Sequence, residues 1–480
     1  MPATTPSKGP DTPAEPPPKE RGRGGRAFLA AAISVALLAP SGHTVAGGRG
    51  RTAKERPNVL VIVTDDQRLD TLHAMPATLD WLGAGGRTFT NAFATTPLCC
   101  PSRTSILTGD YAHNHRVLHN GVADRIADAR TLPEALQRRG YLTGIAGKYL
   151  NGWDLERPPT AFDRWSVFKQ GYRDAPFNID GRHREVDNYT TDFVRDTAVE
   201  LLASFERDDQ RPWFLYVAPF APHTPATPAP SDRGAQTPPW STSPAVEEQD
   251  RSDKPPAVQS RRAQPRDRAG ATRDRQIRTL MAVDRMVAEL RLTLSRLGED
   301  GRTLAVFVSD NGYFWGEHGL KGKSMPYLEA TRIPLLLHWP GRIDPGTSDT
   351  RLAANIDIAP TVMQAAGAAG ESMDGRSLLE PAERGRILLE YWKDAASERV
   401  PSWAAITTPT VQYVEYYAES ETDVIFREYY DLTSDPWQMT NLIGDADPSN
   451  DPPGRALSDL THQLAHDRHC RGTAGAFACP

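Results

Sequence analysis

The sequence predicts an α/β fold, a mostly parallel sheet covered by helices on both faces, and three observations predict it. Two runs, "RPNVLVIVTDDQ" (56–67) and "TLAVFVSDNG" (303–312), are apolar without alternation and end in acids. Strands buried on both faces read this way, and parallel sheets are built from them. A third run, "RPWFLYVAPFAPHTP" (211–225), passes into a Pro-rich loop. Helical spacing fills the gaps between the runs, and strands that alternate with helices make layered α/β architectures. At 480 residues, 39% hydrophobic and 24% charged, the chain has the composition of a soluble folded protein longer than one ordinary domain.

Residues 1–50 read as an export signal and N-terminal arm. A polar, Pro-rich stretch ends in "RGRGGR" (21–26), the apolar "AFLAAAISVALLAP" (27–40) follows, and small residues suited to cleavage lie near Ala46. That is a basic region, an apolar core too short to span a bilayer, and a processing site. The mature protein is therefore expected to be secreted, with no stable membrane span after processing. The arm also masks a charge asymmetry. The formal charge is −6, but the first fifty residues hold six Lys/Arg against three Asp/Glu, leaving 49 against 58 in the remainder. This balance argues against a nucleic-acid partner. An anionic substrate would be captured by a few placed residues, not by the overall field.

Further along, "TLPEALQRRGYLTGIAGKYL" (131–150) reads as helix, turn and short strand. Residues 222–272 are rich in Pro, Ser and mixed charge and show no periodicity. A loop of that length inside a compact domain is either functional or a tolerated insertion. "IRTLMAVDRMVAELRLTLSRLG" (277–298) has apolar positions at helical spacing, with Gly298 as its stop. After about residue 385 the aromatic, β-rich "TVQYVEYYAE" and "FREYYDLTSDPW" predict a small antiparallel subdomain. The expected organisation is a catalytic domain over 56–384, carrying the long loop, and a C-terminal β-rich subdomain and tail over 385–480.

The chain has four cysteines. In an exported protein Cys470 and Cys479, in a Gly/Ala-rich tail, are suited to closing a small surface loop as a disulfide. Cys99 and Cys100 are adjacent, and a bridge between neighbours is strained. An unbridged pair in an oxidising compartment calls for an explanation beyond packing. Pro101 and Ser102 look like a helix start, which puts Cys99 at the positive end of a helix, with Arg103 on its first turn. A thiol there is a nucleophile or the precursor of something else.

Asp65-Asp66 and Asp310-Asn311 each follow a hydrophobic strand. Acid pairs often do no more than start loops. In open α/β sheets, however, functional groups gather at the carboxyl ends of strands, so both pairs are expected to converge on one crevice. Three carboxylates and an amide oxygen suit Ca²⁺, or Mg²⁺, and lack the His/Cys ligands that zinc prefers.

Cys99-Cys100-Pro101-Ser102-Arg103, continuing to Thr108-Gly109, resembles the signature of the formylglycine-dependent sulfatases. The resemblance extends from about residue 56 to 444 and implies an alkaline-phosphatase-like sandwich with a small C-terminal antiparallel sheet. It implies that Cys99 is the cysteine converted to formylglycine by a formylglycine-generating enzyme, while Cys100 is a small buried hydrophobe. It also implies that Asp65, Asp66, Asp310, Asn311 and modified Cys99 hold calcium. "GKYLNGW" (147–153) resembles the segment carrying an active-site lysine, here Lys148. "APHTP" (221–225) matches the active-site histidine, here His223, and "GLKGKSMPY" (319–327) the second lysine, here Lys323. "YYDLTSDPWQMTNL" (429–442) resembles the closing motif of the C-terminal subdomain. Many arylsulfatases place a histidine just after the first lysine, where this chain reads Tyr149-Leu150-Asn151, so Asn151 is a candidate replacement.

By resemblance the activity is hydrolysis of sulfate monoesters, with Asp310 helping to deprotonate the attacking hydroxyl and His223 protonating the leaving oxygen. Arg103, Lys148 and Lys323 would neutralise the sulfonyl oxygens. The variant segments, with "YAHNHRV" (111–117), are similar to N-acetylglucosamine-6-sulfatases and extracellular heparan 6-O-endosulfatases, which favours sulfated sugars beside aryl sulfates. His113, His115 and His318 either line the pocket or are structural. Two alternatives stand beside this reading. One is a phosphonate or phosphate ester hydrolase of the same superfamily, and the other an inactive protein that binds sulfated glycans.

Overall fold

The computed structural model describes residues 56–480 apart from 129, 209, 369–371 and 394–398. The export signal read at 1–50 lies outside the described residues. Ten strands form the main sheet. The first eight are β1 (Asn58–Thr64), β2 (Arg87–Phe93), β3 (Leu142–Lys148), β4 (Arg164–Phe168), β5 (Ala175–Ile179), β6 (Arg182–Val186), β7 (Trp213–Ala218) and β8 (Thr303–Ser309). A two-residue hairpin of β9 (Phe314–Trp315) and β10 (Lys321–Gly322) precedes the last two, β11 (Leu335–His338) and β12 (Thr347–Ala354). Their order across the sheet is β12-β2-β11-β8-β1-β7-β3-β4-β5-β6. The central strands β8-β1-β7-β3-β4 are parallel throughout. Antiparallel pairs appear toward both edges, at β11 and at β5-β6.

Alternation along β1 feeds two cores, because successive side chains in a strand point to opposite faces. Val59, Val61 and Val63 enter one, together with Ile106 and Leu107, Leu132 and Leu136, and Ile358 and Val362 from three helices. Leu60 and Ile62 enter the other. There the helix Thr190–Phe205 and the long helix Arg266–Leu297 cover the sheet. This is the expected sandwich.

The long helix starts eleven residues before the apolar periodicity does. Its first turns bury Thr272, Arg273 and Gln276 with Ala269 as the one apolar residue among them, so no apolar stripe marks them. Gly298 ends it at φ 77°, a left-handed cap suited to glycine. The stretch 222–272 is likewise not one structureless loop. It carries short turns at Pro230–Asp232 and Pro244–Val246, a helix at Pro256–Gln259, and the start of the long helix. Buried charge pins it: the Lys254 ammonium donates to Asp253 at 3.0 Å and to the Met439 carbonyl at 2.8 Å, with Glu248 at 3.7 Å.

Register decides where the chemistry lies. β1 and β8 pair in step from Asn58↔Thr303 to Thr64↔Ser309, so the acids that follow them leave the sheet side by side. The Asp310 N–H donates to the Thr64 carbonyl at 3.0 Å. In β3, Gly147 opposes Ala218 of β7. A Cβ on Gly147 would lie 2.0 Å from the Ala218 carbonyl oxygen, and φ is +116°, so only glycine permits this approach beside Lys148.

The C-terminal sheet is an antiparallel meander of β13 (Ile387–Tyr391), β14 (Trp403–Thr407), β15 (Val411–Tyr417) and β16 (Val424–Asp431). Inside it, Glu428 accepts the hydroxyls of Tyr327, Tyr416 and Tyr430 at 2.6–2.8 Å. The helix Gly454–Asp467 follows, then the Cys470–Cys479 disulfide. The bridge is not at the surface, as the tail composition led one to expect. Both sulfurs are buried within the core of this sheet, and the Cys470 carbonyl accepts from His113 and Asn114 at 2.9 Å. No helix among the described residues is long and apolar enough to cross a membrane.

Candidate active site

The helix that begins at Cys99 is entered from Leu98 in an extended conformation. Its first intrahelical bond, from the Ser102 N–H to the Leu98 carbonyl, is 3.0 Å. The helix therefore starts two residues before Pro101, whose missing N–H costs nothing in a first turn. All ten of its residues are buried. The Cys100 N–H donates to Asn120 Oδ1 at 3.0 Å, which holds the entry in place.

Cys99 faces the paired acids. Its sulfur lies 3.3 Å from Asp65 Oδ1 and 3.9 Å from Asp66 Oδ1. Lys323 reaches over both, 2.7 Å from the sulfur and in contact with Asp66 Oδ1. Lys148 donates to Asp65 Oδ2. Arg103 donates from Nε to Asp310 Oδ2 at 2.7 Å and from Nη1 to the Lys148 carbonyl at 3.0 Å. Its Nη2 is buried without a hydrogen-bond partner, 3.7 Å from Asp65. His223 points Nε2 at Asp66 Oδ2, 3.6 Å away. Its Nδ1 lies 2.6 Å from the Thr224 carbonyl, so that nitrogen is a donor, and Nε2 faces the site.

Three carboxylates are thus met by three cations. Burial alone would push the Asp65 carboxyl up, but Lys148, His223, Arg103 and Lys323 together hold it well below the usual carboxylate range. Burial also opposes the charge on Lys323, and Asp66, Cys99, Asp65 and Asp310 overcome it, holding the ammonium protonated. The Cys99 thiol is pushed well up by burial and by Asp65, against Lys148 and Lys323. A buried neutral thiol is a poor nucleophile, which weighs against ordinary cysteine chemistry.

Two oxygens in this nest are buried without a hydrogen-bond partner, Asp66 Oδ2 and Asn311 Oδ1. Asn311 turns its amide nitrogen to Asp66 Oδ1 at 2.7 Å and to the Gly312 carbonyl at 2.8 Å, which leaves its oxygen free. Ligand atoms of Asp65, Asp66, Cys99 and His223 all lie within 4.8 Å of one another. Unsatisfied buried acceptors are costly, and together with this cluster they could hold a metal ion.

The sequence-derived residues Asp65, Asp66, Cys99, Arg103, Lys148, His223, Asp310, Asn311 and Lys323 are gathered in one nest. Asp310 makes its hydrogen bonds to Arg103 and to the Asp66 N–H, at 3.0 Å, rather than to the cysteine sulfur. Asn151 is half-buried with an unpartnered Oδ1. The three other histidines are engaged elsewhere. His113 pairs with Glu390 at 2.8 Å, His115 with Ser105 at 3.1 Å and His318 with Glu248 at 2.9 Å. Supporting groups that sequence reasoning passed over include Ser309, which accepts the Gln67 N–H at 2.9 Å, and Asn355, which donates to Ser102 at 2.9 Å. Gln276 donates to the Pro222 carbonyl at 3.1 Å beside His223, and accepts from Trp315. No sequence signal marks these, because single polar residues in loops and helices carry no pattern.

A family model described as Sulfatase matches residues 57–368. The chain belongs to the sulfatase family. A second model, described as N-sulphoglucosamine sulphohydrolase, C-terminal, matches residues 316–464 of this sulfatase. Human N-acetylglucosamine-6-sulfatase is 29% identical, the match covering 88% of this chain and 87% of that protein. The extracellular sulfatase SULF-1 homolog of Drosophila melanogaster is 32% identical over 71% of this chain, and the match spans 33% of that longer protein. A solved structure described as a complex with its substrate D-glucosamine-2-N,6-O-disulfate superposes with a TM-score of 0.73 at 25% identity, covering 85% of this chain and 97% of that one. The sulfatase is accordingly an enzyme, a hydrolase of sulfate esters with the alkaline-phosphatase-like fold.

Proposed function

We propose that the protein hydrolyses sulfate monoesters on sulfated sugars, using Cys99 oxidised to formylglycine beside a divalent cation, most simply calcium. The observation that carries this is the placement of Cys99 at a helix N-terminus, its sulfur against Asp65, Asp66 and Lys323, with Lys148 paired to Asp65 and Arg103 to Asp310 behind them. Sugar-sulfatase relatives support the substrate class.

Asp65, Asp66, Asp310, Asn311 and the modified Cys99 would hold the cation, with His223 close by. A bound cation would polarise the nucleophile and a sulfonyl oxygen. Hydrated formylglycine at position 99 would supply two hydroxyls on one carbon, a nucleophile and a second group through which sulfate could be released. The remaining work belongs to side chains already in place. With an ion bound, the nest carries an excess of positive charge, which draws in an anionic ester. Arg103 Nη2, Lys148 and Lys323 neutralise charge that grows on the sulfonyl oxygens, in a site without solvent to screen it. His223, held through Nδ1 by the Thr224 carbonyl, would protonate the departing sugar oxygen from Nε2 as an imidazolium carrying a proton on both ring nitrogens. Asp310 keeps Arg103 in place and, as the family resemblance implies, would help to deprotonate the nucleophile.

We further assign residues 56–384 to catalysis and 385–480 to a C-terminal subdomain, and read 1–50 as the signal that makes the enzyme secreted. The test is turnover of glucosamine 6-sulfate and an aryl sulfate against matched phosphate and phosphonate esters, before and after chelation and calcium readdition. Faster turnover of the sulfates, lost on chelation and restored by calcium, is expected. Faster turnover of the phosphonate, or none of any ester, would refute the proposal.

A further inference from the structure

A second group of positive charges lies on the long helix and on the hairpin that leads to Lys323. The long helix carries many arginines, and most are matched: Arg266 pairs with Glu247, Arg273 with Asp274, Arg285 with Asp232, Arg291 with Asp80 and Arg296 with Glu289. Arg278 bonds the Ala235 carbonyl. Arg268 and Arg275 have no carboxylate partner among the described residues. They stand at i and i+7, with Thr272 at i+4, and so share one face of the helix. Arg275 donates to Thr272 Oγ1 at 3.3 Å. Lys321, on the β9-β10 hairpin, is exposed and also without a carboxylate partner among the described residues. Three unmatched cations on one face of an acidic chain repel one another unless an anion joins them.

A cleft of about 120 Å³ is lined by Arg268, Thr272 and Lys321 together with Phe314, Trp315 and Gln264, and Arg275 adjoins it through its bond to Thr272. Its floor is rigid. Trp315 is 3% exposed, bonds Gln276 and lies under the Arg68 guanidinium at 3.9 Å. Small-molecule pockets run to about 300 Å³ or more, so this cleft takes a single charged group and not a sugar ring. It is also close to the reacting centre. Lys321 is two residues from Lys323, at most about 7 Å of backbone. Gln276, next to Arg275, holds the Pro222 carbonyl beside His223.

We infer that Arg268, Arg275 and Lys321 form an anion subsite for a charged group on the sugar next to the one being desulfated, so that the preferred substrate is a polyanionic oligosaccharide. This rests on the sugar-sulfatase reading and names its substrate class more closely. The chemistry asked of the ligand is a sulfate or a carboxylate, either of which satisfies an arginine fork.

The test compares the wild type with Arg268→Ala, Lys321→Ala and a triple variant that adds Arg275→Ala. Substrates are 4-nitrophenyl sulfate, a heparin-derived tetrasaccharide, and the same tetrasaccharide with its neighbouring uronate reduced or its neighbouring sulfate removed. The triple variant is expected to raise KM for the tetrasaccharide roughly tenfold or more with kcat held, and to leave aryl sulfate turnover unchanged. The wild-type preference is expected to weaken with salt, and whichever tetrasaccharide edit reproduces the variant's loss identifies the anion. Equal losses on both substrates, or no change on the tetrasaccharide, would overturn the subsite. Calorimetric binding of the tetrasaccharide, read without turnover, separates the two proposals. Tight binding that the triple variant loses supports the subsite even if sulfate hydrolysis fails, and binding indifferent to the variants overturns it.

Discussion

Replacing Arg103 tests the electrostatic core of the site. The side chain is fully buried, with Nε 2.7 Å from Asp310, Nη1 3.0 Å from the Lys148 carbonyl, and Nη2 unbonded. Two consequences follow from Arg103→Ala, and they differ in kind. Asp310 loses its partner, and stranding one charge of a buried pair costs about 3–5 kcal/mol of stability. The site loses the spare donor, and removing one such donor costs about 10²–10³ in kcat. Since a domain has only about 5–15 kcal/mol to lose, the alanine variant sits near unfolding. Arg103→Lys separates the effects. It keeps a charge against Asp310, but one ammonium cannot serve Asp310, the Lys148 carbonyl and a sulfonyl oxygen at once. Aryl sulfate turnover of Arg103→Lys should therefore fall at least about a hundredfold while its melting temperature stays near that of the wild type. Turnover within a few-fold of the wild type in a folded Arg103→Lys protein would refute the role given to this residue.

Three other outcomes are expected. His113 is pushed up to about 9, because Glu390 and the Cys470 carbonyl outweigh its burial. With an ordinary value of 6.5, the pair contributes up to about 3 kcal/mol, fully present below about pH 6.5 and lost as pH rises through 9. Denaturant midpoints between pH 6 and 10 should fall in the wild type and fall less in His113→Gln; identical slopes would contradict this. At Gly312 an added Cβ would meet the Glu329 carbonyl oxygen at 2.0 Å, so Gly312→Ala should displace Asp310-Asn311 and cut both activity and calcium affinity, measured by turnover and calorimetry. The Cys470–Cys479 bridge closes a short loop across a sequence separation of nine. Changing both cysteines to serine should lower stability by about 2–3 kcal/mol, read as a shift in the urea midpoint, and no shift would show the tail to be held by its other contacts.

How much the sequence revealed depended on whether a residue belonged to a pattern. The strands β1, β7 and β8 were legible because each is a continuous apolar run, and their acid tips announced the site. The edge strands were not. β6 reads "RHREV", four of its five residues are exposed, and its place comes only from pairing with β5. The first eleven residues of the long helix were missed for the opposite reason: they bury polar side chains, Gln276 above all, that no periodicity marks. Lys254 and Glu248 were hidden in a stretch that looked unstructured, yet they pair within it and Lys254 ties it to the Met439 carbonyl. In the site itself, residue types and positions were legible. What was not legible was the division of labour, with Asp310 committed to Arg103 and the cysteine sulfur facing Asp65 and Asp66.

The central claim concerns the side chain at position 99. Active enzyme purified from an oxidising secretion host should be digested, and the peptide spanning Thr96 to Gly109 examined by mass spectrometry and by labelling with an aldehyde-specific hydrazide. An aldehyde at position 99, in a fraction that tracks specific activity, is the expected result. Full activity from protein that retains an unmodified thiol at position 99 would contradict the account.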